Sequence, residues 1–373
     1  MNIILAGGAT GGHIYPALAI ADKFRKEYPK AKFLFLGAKK EIGSTIVQDN
    51  GYEIVHLNVR GFYRKKMYRN VSVVKDLLVT NAQIKKIFKE FKPDLVIGTG
   101  GYTCGPVIRE AHKMGIATFL HEQNVLPGLA NKMAQKSATK IYTGFKESKD
   151  HFKDKSKVKV VGNPIRNEFK IASQIDYRGN LGIRPEDKVI MLFGGSQGAD
   201  TINEIGSKLV KKYADDSQMH IYFITGKRSY WDIFEEMDKE GLLTKPNIHV
   251  LEYADAIHEL YAVADLLVSR SGAGTVSEIA YMAKPSILIP SPNVTANHQY
   301  YNGLPLYKAG GALLIEEKDL NVEDLIIEID ALIHNDTKLK EMSEAAHTVS
   351  YENATEDMYE DIKKTAGLSS EKK

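Results

Sequence analysis

The chain has 373 residues, 43% hydrophobic and 26% charged, a length beyond the size at which one core stops growing, so two globular domains are expected. Its single cysteine, Cys104, excludes an internal disulfide and a cysteine-rich zinc site and fits a reducing compartment. The net charge of +3 is unevenly spread: residues 1–165 hold 28 Lys and Arg against 13 Asp and Glu, so that half is basic and the remainder acidic.

The chain begins MNIILAGG, a short apolar run leading straight into a glycine turn, without the basic start and longer apolar core of a signal peptide. No run of about 18 apolar residues follows, so no transmembrane helix is expected. Apolar runs at 2–5, 32–36, 95–97, 118–120 and 140–142 alternate with helical patterns, and a second series follows at 189–193, 220–224, 249–251, 266–268 and 286–289. Such alternation predicts α/β domains, each a parallel sheet covered by helices on both faces. Two series predict two domains, 1–164 and 165–345, joined near the helix-breaking Gly162-Asn163-Pro164. The segment 346–373 is expected to carry a terminal helix that packs back on the first domain.

The two series open alike, NIILAGGATGGH against VIMLFGGSQGAD, each a buried strand, a Gly-Gly turn and a helix. Such a turn suits an anion, because glycine lets the backbone come close and the helix start presents unpaired N–H groups. Two absences narrow the ligand. The second strand ends at Leu36-Gly37 without the acidic residue that would hold a dinucleotide ribose, and no G-x-x-x-x-G-K-[ST] motif occurs. His13, in the first turn of the first helix, is a candidate general base, with a plain strand–helix junction as the alternative. In the second turn, Ser196 and Gln197 add a hydroxyl and an amide for a pyrophosphate, unless the turn merely packs helix on sheet. The segment SRSGAGTVSE carries Glu278, which suits a ribose diol or forms a capping box with Thr275.

Four more polar clusters fall where strands should end: Gly100-Gly101-Tyr102, His121-Glu122-Gln123-Asn124, Asn163-Pro164-Ile165-Arg166 and Asn297-His298-Gln299. None has metal-ligand spacing, so no metal site is expected and no cofactor is required, while divalent-cation dependence stays open. Residues 60–89 contain nine basic residues and one acidic residue, Asp76, and begin with the basic-aromatic RGFYRKKMYR. Together with Val71, Val73, Val74, Leu77, Leu78, Ile84, Ile87 and Phe88 they suit peripheral binding to an anionic membrane surface, or they form a solvated helix with an ordinary core-facing side. No nucleic-acid-reading motif accompanies them, so nucleic acid is not an expected partner.

Taken in order, GGATGGHIYPALA, GTGGY, HEQNVLPGLANK, GNPIR, GGSQGA, SRSGAGTVSE and ANHQYYNG, which run from residue 2 to about 311, resemble the signature segments of the MurG family. The resemblance implies the GT-B fold, two Rossmann-like domains with parallel sheets facing across a deep cleft. It also implies an inverting transfer of GlcNAc from UDP-GlcNAc to the MurNAc 4-hydroxyl of undecaprenyl-pyrophosphoryl-MurNAc-pentapeptide, lipid I. The products are lipid II and UDP, in peptidoglycan synthesis, on a peripheral enzyme at the cytoplasmic face of the cell membrane. Carried over by position, Arg166, Ser196, Gln197, Glu278, Gln299 and the backbone of Ala254 would hold UDP-GlcNAc, with Thr10, Gly11, Gly12 and Asn124 closing over the sugar. His13 would be the base and Glu122 the second candidate, with Tyr102 and His121 lining the acceptor side. Two departures stand out: Cys104 occupies a position where many relatives have serine, and Gly274 replaces a bulkier residue and is expected to loosen the donor-site loop. A diacylglycerol glycosyltransferase, a UDP-GlcNAc 2-epimerase and a pure binding module are the competing readings.

Overall fold

A computed structural model describes residues 1–8, 11–38, 43–59 and 70–368, with 43 and 70–78 as backbone alone. The chain divides into two compact units, Met1–Arg166 with Tyr351–Lys373, and Asn167–Ser350.

The first unit alternates β1 (Asn2–Ala6), α1 (Gly11–Glu27), β2 (Lys32–Ala38), α2 (Gly43–Asp49), β3 (Glu53–Leu57), α3 (Asn70–Phe91), β4 (Leu95–Gly98), α4 (Gly101–Lys113), β5 (Ala117–Glu122), α5 (Leu129–Ala134), β6 (Lys140–Thr143) and β7 (Val158–Val160). All seven strands are parallel, in the order β3-β2-β1-β4-β5-β6-β7. The interior strands β1 and β4 are buried almost throughout, which is why they read as apolar runs. The strands that patterning missed here, β3 and β7, are the two edges of the sheet. There one side stays wet and polar positions interrupt the run.

Helix α1 buries Ile14, Ala17, Leu18, Ala21 and Phe24 at helical spacing on one face of the sheet. On the other face α3, α4 and α5 contribute Ile84, Phe88, Val107, Ile108 and Ala134. Ile84 and Phe88 are thus core residues with Ile87 packed beside them, which is the core-facing side expected of such a helix, while Lys85, Lys86 and Lys89 are exposed. The segment 60–69 and the side chains of Val71, Val73, Val74, Leu77 and Leu78 lie outside the described residues.

The second unit contains α6 (Asn167–Ala172), β8 (Lys188–Phe193), α7 (Asp200–Tyr213), β9 (Met219–Ile224), α8 (Tyr230–Lys239), β10 (Ile248–Leu251), α9 (Ile257–Val263), β11 (Leu266–Ser269), α10 (Ala273–Tyr281), β12 (Ser286–Leu288), α11 (His298–Ala309), β13 (Ala312–Leu314), α12 (Val322–Ile333) and α13 (Asp336–His347). Its six parallel strands run β10-β9-β8-β11-β12-β13. The unforeseen β13 is again an edge strand. Helices α7, α8, α12 and α13 cover one face through Ile205, Leu209, Met237, Ile329 and Met342, while Phe169 of α6 meets Tyr261 of α9 edge-on at 5.1 Å over the other.

The chain then returns to the first unit as α14 (Ala354–Thr365), whose Met358, Tyr359 and Ile362 join the α1 face of the core. Asp361 accepts from Tyr142 Oη at 2.9 Å and Lys159 Nζ at 3.1 Å and lies 3.3 Å from Lys140 Nζ. In both sheets the strand order reverses beside the first strand, between β1 and β4 and between β8 and β11. The carboxyl ends of strands at such a reversal are where open α/β sheets bind ligands.

Candidate functional site

In the first unit the turns that follow β1 and β4 are pressed together, and glycine makes that possible. A Cβ on Gly101 (φ +79°) would lie 3.0 Å from the backbone of Gly8, and one on Gly100 (φ +108°) would lie 2.7 Å from His13 Cδ2. The His13 ring therefore rests on the β4 turn. Thr99 Oγ1 donates to the His13 carbonyl at 2.8 Å, and His13 Nδ1 lies 2.8 Å from the Gly8 carbonyl oxygen. A carbonyl can only accept, so Nδ1 carries a proton and Nε2 is the ring nitrogen that can offer a lone pair. Gly11 and Gly12 open α1 beside it, Tyr102 stands 55% exposed in the first turn of α4, and Thr10 lies outside the described residues.

The cluster at the end of β5 is interior. Glu122 is buried and its two oxygens accept from Asn124 N (3.0 Å), Asn124 Nδ2 (3.1 Å), Gly128 N (3.0 Å) and Asn131 Nδ2 (2.8 Å). These four bonds fill the acceptor capacity of a carboxylate, and they tie it to the start of α5, where a helix dipole favours negative charge. His121 is also fully buried: Nε2 donates to the Gly162 carbonyl at 3.1 Å and Nδ1 accepts from Gln123 Nε2 at 3.0 Å. Burial pushes its pKa down to about 4 against the weaker upward pull of that carbonyl, so the ring is neutral. Asn131 completes the cluster by donating to the His121 carbonyl and accepting from Cys104 Sγ, whose thiol burial pushes up to about 12. Asn131 sits inside the HEQNVLPGLANK segment, yet nothing in its spacing marks it as the partner of Glu122. Arg166 ends this unit, its guanidinium 5.0 Å above the Tyr15 ring on α1.

In the second unit, the turn 194–198 leaves β8 with no room for side chains at its base. A Cβ on Gly198 (φ +82°) would lie 2.2 Å from the Thr225 carbonyl, and one on Gly194 would lie 2.6 Å from Ala199 N. At its tip Gly195 faces open space, and Ser196 and Gln197 are exposed. Helices α7 and α10 both start without a side-chain cap, the arrangement that suits an anion at their first amides. Helix α10 starts from Gly272, so Thr275 and Glu278 are already helical and do not form a capping box; Glu278 is half-buried in the second turn. Gln299 Oε1 accepts from Ser291 N at 2.8 Å, and Ala254 sits half-buried in the β10–α9 turn. Sequence reading missed Arg270 and Glu317, which pair across this edge of the sheet 47 positions apart. Only the basic residue inside SRSGAGTVSE hinted at it. Among the described residues no three His, Cys, Asp or Glu side chains are grouped to hold a metal ion.

The two parallel-sheet units have the GT-B fold of the solved glycosyltransferases they resemble, and the comparison with known families gives the enzyme class. Residues 3–143 match the glycosyltransferase family 28 N-terminal domain and residues 189–360 its C-terminal domain. Over 97% of this chain and 98% of its own length, the UDP-N-acetylglucosamine–N-acetylmuramyl-(pentapeptide) pyrophosphoryl-undecaprenol N-acetylglucosamine transferase of Acetivibrio thermocellus is 43% identical. The chain belongs to the MurG family of glycosyltransferases. Two solved structures share the fold: Acinetobacter baumannii MurG, at 24% identity and a TM-score of 0.76 over 97% of this chain and 99% of that one, and the UDP-GlcNAc 2-epimerase from Neisseria meningitidis bound to UDP-GlcNAc, at 15% identity and 0.68 over 98% and 100%.

Proposed function

We propose that the chain transfers N-acetylglucosamine from UDP-GlcNAc to N-acetylmuramyl-(pentapeptide) pyrophosphoryl-undecaprenol, forming lipid II and UDP in peptidoglycan synthesis. The observation that carries this reading is the near-full-length identity to a transferase of that name, joined to an anion-suited glycine turn in the half that matches the family 28 C-terminal domain.

The MurNAc 4-hydroxyl oxygen bonds to C1 of GlcNAc while the bond from C1 to the β-phosphate oxygen breaks, and its electron pair leaves with UDP; the α-linkage becomes β. The acceptor proton passes to His13 Nε2, the nitrogen that the Gly8 bond leaves with the lone pair. Glu122, the second candidate, is assigned instead to holding the loop from Asn124 to α5, because its lone pairs are already occupied. His121 supports the same loop from the interior, and Tyr102 is left to meet the acceptor. Charge growing on UDP is met by backbone amides of residues 194–198 and of the α7 and α10 starts, with Arg166; preorganised donors of this kind are worth roughly 3 kcal/mol each. Glu278 accepts from the ribose hydroxyls, Ala254 meets the uracil, and Ser196, Gln197 and Gln299 complete the donor set, with Thr10, Gly11, Gly12 and Asn124 over the sugar.

An undecaprenyl-linked acceptor brings the enzyme to a membrane. No helix among the described residues is long and apolar enough to cross one. Peripheral binding at the cytoplasmic face is assigned to the basic stretch 60–89, through its Lys and Arg side chains and anionic headgroups; Ile84 and Phe88 take no part in it.

UDP release from UDP-GlcNAc and lipid I tests the reading. His13→Ala is expected to lower kcat by roughly 100- to 10,000-fold, and Glu278→Ala to raise the donor KM; unchanged kinetics in both would remove the site assignment. Turnover with diacylglycerol in place of lipid I, or UDP-ManNAc formed without acceptor, would replace the function.

A further inference from the structure

Arg270, Glu317 and Thr201 come from three separate segments of the second unit and meet at one point. Arg270, just after β11, donates from Nη1 to the carbonyl oxygens of Ile289 (3.0 Å) and Pro290 (3.2 Å) and from Nη2 to Glu317. Glu317 Oε1 also accepts from the Thr201 hydroxyl at 2.7 Å. Thr201 is the second residue of α7, directly behind the glycine turn 194–198. Pro290 begins the loop that Gln299 holds through Ser291, and Arg270 begins the turn into α10 and Glu278. One guanidinium–carboxylate pair therefore links the loops at the carboxyl ends of β8, β11, β12 and β13. A second strut lies beside it: Glu316 Oε2 accepts from Asn297 Nδ2 at 3.1 Å. Asn297 (φ +50°) and its neighbour Ala296 (φ +55°) both occupy the left-handed region, which costs a non-glycine residue free energy and persists only when surrounding contacts fix it.

We infer that Arg270 and Glu317, with Asn297 and Glu316 as a second strut, are positioning residues that hold the donor loops in the form that receives the UDP moiety. The inference rests on the reading that this edge of the second unit takes the sugar nucleotide. Its physical basis is preorganisation: loops already tied in their binding form lose less freedom when the ligand arrives. The Arg270 and Glu317 side chains are 13% and 22% exposed, so their charge-assisted bonds are partly shielded from water. Arginine's planar fork reaches two carbonyls and a carboxylate together, which a lysine ammonium on a flexible stem does not reproduce.

The experiment combines calorimetric titration of UDP, steady-state kinetics and thermal unfolding on the full chain. Glu317→Gln is expected to weaken UDP binding and raise the donor KM on the order of tenfold, as loss of a supporting shell does elsewhere, with acceptor KM and kcat close to wild type. Arg270→Lys should fall between wild type and Arg270→Met, and Asn297→Ala should show a smaller loss of the same kind. Wild-type UDP affinity in Glu317→Gln overturns the inference while leaving the donor site standing. So does a parallel rise in donor and acceptor KM with unfolding near the assay temperature, since that marks a general structural role. Failure of the wild type itself to bind UDP removes the donor-site reading, and this inference with it.

Discussion

The two units share a strand order around their reversal point and the same glycine turns, yet their ligand edges are built in opposite ways. At the end of β5 in the first unit, His121, Glu122, Gln123 and Asn131 are buried and bonded to one another and to backbone. At the end of β8 in the second unit, Ser196 and Gln197 stand in solvent, and the turn is secured from behind through Thr201 and Glu317. A polar cluster at a strand end can thus be scaffold or contact surface, and burial decides which. Substitutions in the first should register as lost stability, and those in the second as lost affinity.

Glu122→Ala is the strongest way to break this contrast. It strips the acceptor from four N–H groups, two of them on the backbone at Asn124 and Gly128, and an unsatisfied buried donor costs about 1 to 3 kcal/mol. Denaturant unfolding should show a loss of several kcal/mol in the first unit, whereas Ser196→Ala should stay within about 0.5 kcal/mol of wild type and raise the donor KM. A Glu122→Ala protein with undiminished stability and a collapsed kcat would return Glu122 to the role of base.

The buried His121 supplies a pH-dependent version of the same test. Its pKa is about 4 in the fold, below the ordinary 6.5, so between those values the unfolded chain binds a proton that the folded one does not. Stability is complete above pH 6.5 and falls as pH drops toward 4, by up to about 3 kcal/mol for this group. His249 in the second unit, also pushed down to about 4 by burial, adds a slope of the same sign. The difference between wild type and His121→Gln isolates the first unit: the variant's unfolding free energy should vary less between pH 4 and 6.5. Equal slopes would mean that His121 is charged in the fold.

Two glycines of the same turn then divide close packing from backbone strain. Gly198→Ala places a Cβ against the Thr225 carbonyl at a positive φ, so the turn must shift and UDP affinity should fall along with stability. Gly195→Ala has the positive φ but open space, and should cost only the backbone term, about 1 to 2 kcal/mol. If the two variants bound UDP equally well, the packing of this turn on the β9 turn would not shape the donor site.

What could be read from the sequence follows the same division. Strands buried on both faces, such as β1 and β8, announce themselves as apolar runs, whereas polar positions interrupt the edge strands β3 and β7; β13, an apolar edge strand of three residues, is too short to stand out. Three of the four polar clusters lie at or just past strand ends and the fourth, Asn297-His298-Gln299, lies at the start of α11, but burial is a property of packing, so nothing in HEQN distinguishes the saturated Glu122 from a free base. The Thr275-x-x-Glu278 spacing matched a capping box by composition, while the helix actually begins from Gly272. Arg270 and Glu317 belong to segments that only the folded sheet brings together. Ile84 and Phe88 carry the spacing of an amphipathic helix whether its apolar side meets a bilayer or a β-sheet, and here it meets the sheet.

The smallest expected effect concerns Gly274. Sequence reading takes it as a residue that loosens the donor loop, but it lies in the first turn of α10, exposed, with no atom within 4 Å of where a Cβ would stand and no positive φ. Glycine at a helical position is destabilising by roughly 0.5–1 kcal/mol relative to alanine, and less near a helix end. Gly274→Ala should therefore raise the unfolding free energy of the second unit by a few tenths of a kcal/mol up to this limit and leave the UDP dissociation constant unchanged. If stability rose while affinity fell, flexibility at the start of α10 would itself be part of donor binding, and the second unit's edge would be less preorganised than the Arg270–Glu317 pair implies.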